Sequence, residues 1–140
     1  MTQSDTATRT LIVEREFPHP PEKVWRALTE SPLIEQWLMK NDFKPLVGHS
    51  FSLHREPIAN WDGVIGCRVL ELEPLRTLSY TWNALGSEWV VKWMLTPTAA
   101  GTHLRMEQSG FRVDQDQNYK GAMYGWQKFI GGLERVVAGL

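Results

Sequence analysis

Apolar and polar positions follow two different periods along the chain, and the changes of period mark its elements. Residues 8–17, TRTLIVEREF, set Leu11, Val13 and Arg15 against Ile12, Glu14 and Glu16, an imperfect strand pattern closed by Pro18. The next stretch, PHPPEKVWRALTES, changes to helical spacing, with Val24, Trp25 and Leu28 as its apolar stripe. Pro21 suits a first helical position and Glu22 the positive end of the helix dipole. Pro32 interrupts this pattern, and Leu33, Ile34, Trp37 and Leu38 begin a second short helix.

From Gly48 to Gly110 the pattern is strand-like, with turns at close intervals. Phe51 and Leu53 alternate with Ser50, Ser52 and His54, and a longer run from Trp61 to Glu73 ends at Pro74. Leu78, Tyr80 and Trp82 share one face of the next strand; after a turn at Gly86, Trp89, Val91, Trp93 and Leu95 share another. Gly101 turns the chain into Thr102, Leu104, Met106 and Gln108, opposed by His103, Arg105 and Glu107. Alternation this regular predicts an antiparallel sheet with one covered and one wetter face.

The tail supplies the cover. Tyr119, Ala122, Met123, Trp126, Phe129 or Ile130, Leu133 and Val137 recur at helical spacing over residues 118–137. Such a helix is about 30 Å long, enough to cross a sheet. Gly121, Gly125, Gly131 and Gly132 each lower its intrinsic propensity by roughly 1 kcal/mol relative to Ala. Either close approach to other backbone or room for something else would compensate. The fold class read from this order is α+β: a curved antiparallel sheet wrapped around a long C-terminal helix, with two short helices after the first strand.

Composition narrows the function classes. Residues 8–140 read as one domain in a chain of 140 residues, with residues 1–7 a polar, flexible N-terminus. Fifteen Lys and Arg against sixteen Asp and Glu give a net charge of −1, which removes the electrostatic case for nucleic-acid binding. Cys67 is the single cysteine, so neither an internal disulfide nor a Cys-rich zinc site is available. With no signal-peptide pattern and no run of about 18 apolar residues, the chain reads as soluble and cytoplasmic. Seven tryptophans are many for this length; large apolar plates with one donor each, they either fill a core or line a cavity.

The segments PPEKVWRALTESPLIEQW, EPLRTLSYTW and LTPTAAGTHLRMEQSGF, with the Gly125-Trp126 pair, resemble a known family. It is the group similar to the C-terminal domain of the activator of the heat-shock-protein-90 ATPase, within the START-like helix-grip (SRPBCC, birch-pollen-allergen-like) superfamily. The resemblance spans nearly the whole chain and implies a sheet gripping the last helix, with a cavity between them for an apolar ligand. The family often carries His two residues before the Gly of the SGF segment; Gln108 stands there in this chain.

No catalytic or metal-binding motif accompanies that architecture. His19, His49, His54 and His103 form no HxH or HxxxH pair, and no metal or cofactor is expected. There is no GxSxG, and Ser109-Gly110 reads as a strand end before a turn. Cys67 lies in an apolar strand, where a thiol behaves as a small hydrophobe, and Glu71 and Glu73 read as a solvated strand end. His54, Arg55 and Arg68 would face inward only if the strand phase slipped by one residue.

The remaining constellation is aromatic. Phe51, Tyr80, Trp82, Trp89, Trp93 and Met106 from the sheet, with Met123, Trp126 and Phe129 from the helix, are candidate ligand-binding residues, and equally candidates for plain core. Gln108 has the inward phase and is the candidate polar anchor, its alternative being an amide satisfied by neighbouring backbone. The expected function is non-enzymatic binding of a small hydrophobic or amphipathic molecule, such as a lipid, polyketide or flavonoid-like compound. Contact with a heat-shock-protein-90-type chaperone ranks second, on the resemblance alone, and cavity catalysis of the cyclase or aromatase kind ranks third. Exposed Val90 and Met94 leave monomer and weak homodimer both open.

Overall fold

The computed structural model describes residues 8–140, so the expectation for residues 1–7 lies outside the described residues. Along the chain come β1 (Thr8–Phe17), α1 (Pro21–Thr29), α2 (Ser31–Trp37), β2 (Lys40–Asn41) and β3 (Ser50–His54). Then follow β4 (Val64–Glu73), β5 (Thr77–Ala84), β6 (Ser87–Pro97), β7 (Thr102–Arg112) and α3 (Asp116–Ala138). The strands form one seven-stranded sheet in the order β1-β7-β6-β5-β4-β3-β2, every pairing antiparallel. The sheet grips α3, the α+β helix-grip arrangement that the alternation and the tail periodicity imply.

The inward phases agree with the sequence pattern. Leu78, Tyr80 and Trp82 of β5, Trp89 to Leu95 at every second residue of β6, and Thr102 to Gln108 at every second residue of β7 are buried. His54 and Arg68 are exposed, so the strand phase has not slipped. Two bulges bend the sheet around its helix. In β4, Val69 pairs with Tyr80 and Glu71 with Ser79, leaving Leu70 as the extra residue. In β7, Ser109 pairs with Thr10 and Phe111 with Arg9, so Gly110 is the extra residue there.

Gly110 corrects the expected strand end. Its φ of +100° suits a bulge that a side chain would strain, and a Cβ would lie 3.3 Å from the Glu88 carbonyl oxygen. The strand therefore continues to Arg112 and carries Phe111 onto the buried face. The start of β4 also differs from the expected run. Gly63, at φ +82°, lies so close to Arg55 that a Cβ would be 2.3 Å from its carbonyl oxygen, and pairing begins at Val64. Trp61 makes only an isolated bridge with Ile58.

The two short helices share Glu30 as the boundary residue, held extended at φ −100° and ψ 118°. Pro32 stands in the first turn of α2, where its missing N–H costs nothing. Trp37 locks α2 onto α1 by donating Nε1–H to the Ala27 carbonyl at 2.8 Å, and its ring meets Trp93 edge-on at 5.6 Å. Against that block the C-terminal turns of α3 bury Ile130, Leu133 and Val137 completely. Gly132 lets the helix approach: a Cβ there would sit 3.4 Å from Trp37 Cβ and 3.5 Å from its carbonyl oxygen. Among the described residues no helix is long and apolar enough to cross a membrane.

Candidate functional site

Toward its N-terminal end α3 stands away from the sheet and leaves a cavity of about 640 Å³. The helix lines it with Asn118, Gly121, Ala122, Gly125 and Phe129, a stripe at helical spacing adjacent to the stripe that enters the core. Where the helix could have reached inward it has little side chain. A Cβ at Gly121 would meet nothing within 4 Å, and one at Gly125 would meet only the Phe129 ring, at 3.9 Å.

Opposite, the sheet contributes Ile65, Trp82, Ala84, Trp89, Gln108 and Phe111, and Leu38 and Met39 after α2 close one end. Trp82 and Trp89 are direct cross-strand partners in the β5–β6 hairpin, so their rings form one wall. Trp82 packs on Trp126 at 5.3 Å between ring centres, and Trp126 on Phe129 at 5.8 Å. Trp89 packs on Phe111 at 5.5 Å, and Phe111 edge-on to Tyr119 at 5.3 Å. The rim holds Arg55, Glu56 and Trp61 from the β3–β4 connection, Leu85 from the hairpin turn, and Tyr124 and Lys128 from α3. Tyr124 is 76% exposed and Leu85 59%, so the mouth is apolar as well as charged.

One polar link crosses the cavity floor. Trp126 donates its Nε1–H to Gln108 Oε1 at 2.7 Å, with Gln108 only 3% exposed. The expected alternative, an amide satisfied by backbone, is replaced by an indole partner. An indole nitrogen can only donate, so the bond fixes which end of the amide faces Trp126 and turns the NH₂ away. That NH₂ has no partner among the described residues and is not sealed off, which leaves it open to the cavity Gln108 lines. Trp89 Nε1 is the one sealed side-chain N or O without a partner among the described residues.

The structure gathers Trp82, Trp89, Gln108, Trp126 and Phe129 at the cavity. It sets the other candidates elsewhere. Trp93 and Met106 are fully buried in the closed core, and Trp93 donates to the Tyr80 hydroxyl at 2.9 Å. Burial pushes the Tyr80 phenol well above its ordinary range, so it remains a neutral partner of that indole. Phe51 packs edge-on to both Phe43 and Tyr80, away from the cavity, and Met123 packs against the core beside it. Burial pushes the Cys67 thiol to about 12, with Asp42 adding to the shift, which leaves no thiolate for chemistry.

Sequence reading missed Phe111, whose phase is reversed by the Gly110 bulge, and the rim residues Arg55, Trp61, Leu85, Tyr124 and Lys128. The spacing of Gly121 and Gly125, one turn apart, was the available signal for the helical wall. A wider depression of about 760 Å³ lies on the outer sheet face, among Ser50, Arg68, Leu70, Thr81, Asn83 and Glu88. It is the more open of the two and has no aromatic wall built from facing elements, so the inner cavity is the candidate site.

A sheet closed on a long last helix, with a ligand-sized space between them, agrees with a match along the chain. The family model described as Activator of Hsp90 ATPase homolog 1-like protein covers residues 18–138. The chain belongs to this family. Its fold is similar to that of MLL2253 from Mesorhizobium loti, at 55% identity and TM-score 0.85, over 93% of this chain and 97% of that one. BH1534 from Bacillus halodurans is similar at 28% identity and TM-score 0.79, over 92% and 96%. DynU16, from the dynemicin biosynthetic locus, is similar at 26% identity and TM-score 0.79, over 92% of this chain but 47% of DynU16. No curated protein matches the chain. Activator-like family membership therefore accounts for the architecture, and the open cavity is what its residues add.

Proposed function

We propose that this chain binds a small, mostly apolar molecule between the sheet and α3 and performs no chemistry on it. The observation that carries this reading is the aromatic cavity of about 640 Å³ under Gly121 and Gly125, within the usual range for small-molecule sites. Each 100 Å² of apolar ligand surface removed from water would contribute roughly 2.5 kcal/mol before the cost of association. The ionisable residues that line the space, Arg55, Glu56, Tyr124 and Lys128, all stand exposed at its mouth. The enclosed part offers indoles and one amide, which supply hydrogen bonds but no general acid or base near neutral pH. Similarity to a protein of a biosynthetic locus is in keeping with a small-molecule ligand.

Native mass spectrometry of the purified protein, before and after exposure to a cell lipid extract, tests the reading. A discrete retained mass on the wild type, absent from Gly125→Leu, is the expected result. A clean unliganded mass for both would contradict it and move the weight to a chaperone-type partner.

A further inference from the structure

The polar group left unpaired beside Trp126 on the cavity wall is a donor. Gln108 contributes an amide NH₂ whose carbonyl is already taken by Trp126. The indole N–H of Trp89, also without a partner among the described residues, is sealed within the wall and out of a ligand's reach. Gln108 is nearly closed to solvent, at 3% exposure, so water competes poorly for its donor. A buried donor left unmade is costly, and a hydrocarbon surface would leave it unmade. An oxygen with two lone pairs and no proton of its own suits it.

From this geometry we infer that the cavity selects an uncharged, mainly aromatic or alicyclic molecule whose buried end carries an acceptor oxygen, a carbonyl above all. Gln108 is the specificity-determining residue, through its amide NH₂. Trp126 positions Gln108: by occupying Oε1, it prevents the amide from flipping to present an acceptor instead. The ligand body lies between the Trp82 and Phe129 rings, with the space beside Gly121 and Gly125 taking its bulk. This inference rests on the cavity-binding reading and adds the chemistry by which the cavity would choose.

The test is a matched pair of probes that differ only at the acceptor, 9-fluorenone and fluorene, titrated against the wild-type chain by tryptophan fluorescence. Fluorenone is expected to bind about tenfold more tightly than fluorene, the effect of one neutral hydrogen bond made in a dry site. The Gln108 side-chain amide signals in a ¹⁵N-correlated NMR spectrum should move downfield with fluorenone, as hydrogen-bonded N–H protons do, and not with fluorene. Gln108→Met should erase the preference, and the wild-type comparison stands even if that variant folds poorly. Equal binding of the two probes, or a preference that survives Gln108→Met, would overturn the inference while leaving the cavity reading intact. Binding of neither probe would overturn both.

Discussion

A Cβ on Gly132 would touch Trp37 at 3.4 Å, whereas on Gly121, earlier in the same helix, it would meet nothing within 4 Å. Both glycines weaken α3 by roughly 1 kcal/mol relative to alanine. At Gly132 that cost is offset, because the missing side chain lets α3 settle on α2 and seal Ile130, Leu133 and Val137 in the core. At Gly121 and Gly125 no packing offsets it. The sheet opposite is crowded with Trp82, Trp89 and Phe111, yet the helix leaves the intervening space unfilled. One helix thus closes a core at its C-terminal end and holds a cavity open at its N-terminal end.

The largest predicted effect lies at the closed end. Trp37→Ala removes the ring that α2 inserts against Trp93 and Gly132, together with its hydrogen bond to Ala27, and should cost about 3–5 kcal/mol in urea unfolding. A loss under 1 kcal/mol would mean that the two ends are not distinct. Gly132→Leu should cost about 1–3 kcal/mol by overpacking the α2 contact, with probe binding at the other end retained in the folded protein.

The open end should respond with the opposite sign. Gly121→Ala and Gly125→Ala should each raise stability, by up to about 1 kcal/mol, or roughly 4 °C in Tm, since each Cβ enters free space or ordinary contact. Gly125→Leu should raise Tm similarly and abolish binding of an apolar probe, a gain of stability with loss of function. A fall in Tm on either alanine substitution would show that the space is not vacant to a side chain.

The smallest effect sits on the outer face, behind the closed end. His103 on β7 is bonded through Nδ1 to Glu16 and through Nε2 to Glu14 at 2.8 Å. These bonds, Glu16 first, raise its pKa above the ordinary 6.5. The stabilisation is therefore complete below the unfolded-state value and is lost as pH rises through the raised folded-state value. Ring-proton NMR should give a His103 midpoint above 6.5 that falls in the double variant Glu14→Gln with Glu16→Gln; a wild-type midpoint at or below 6.5 would contradict the clamp. Probe binding should not depend on it.

The contrast between the two ends also explains what could be read from the chain beforehand. Period-two alternation through Trp89–Leu95 and Thr102–Gln108 requires a covered face, and the helical spacing from Tyr119 to Val137 supplies the cover, so the architecture is legible from local pattern. Which inward residues line the cavity is not. Trp82 and Trp93 have the same residue type and inward phase, yet only Trp82 lines it, because α2 brings Trp37 against Trp93. That meeting depends on tertiary placement. Phe111 depends on the Gly110 bulge, which reverses its face without altering the sequence period before it. The glycines of α3 signal two outcomes, close approach and open space, and only the position of α2 separates Gly132 from Gly121.

The most direct test of the open end is a ¹H–¹⁵N NMR map of the chain titrated with 9-fluorenone. Shifts confined to Trp82, Trp89 and Gln108, to residues 118–129 and to the rim around Trp61, with residues 130–137 unmoved, are the predicted result. No shifts, or shifts spread equally along α3, would mean that the helix does not hold a binding space beneath its N-terminal end.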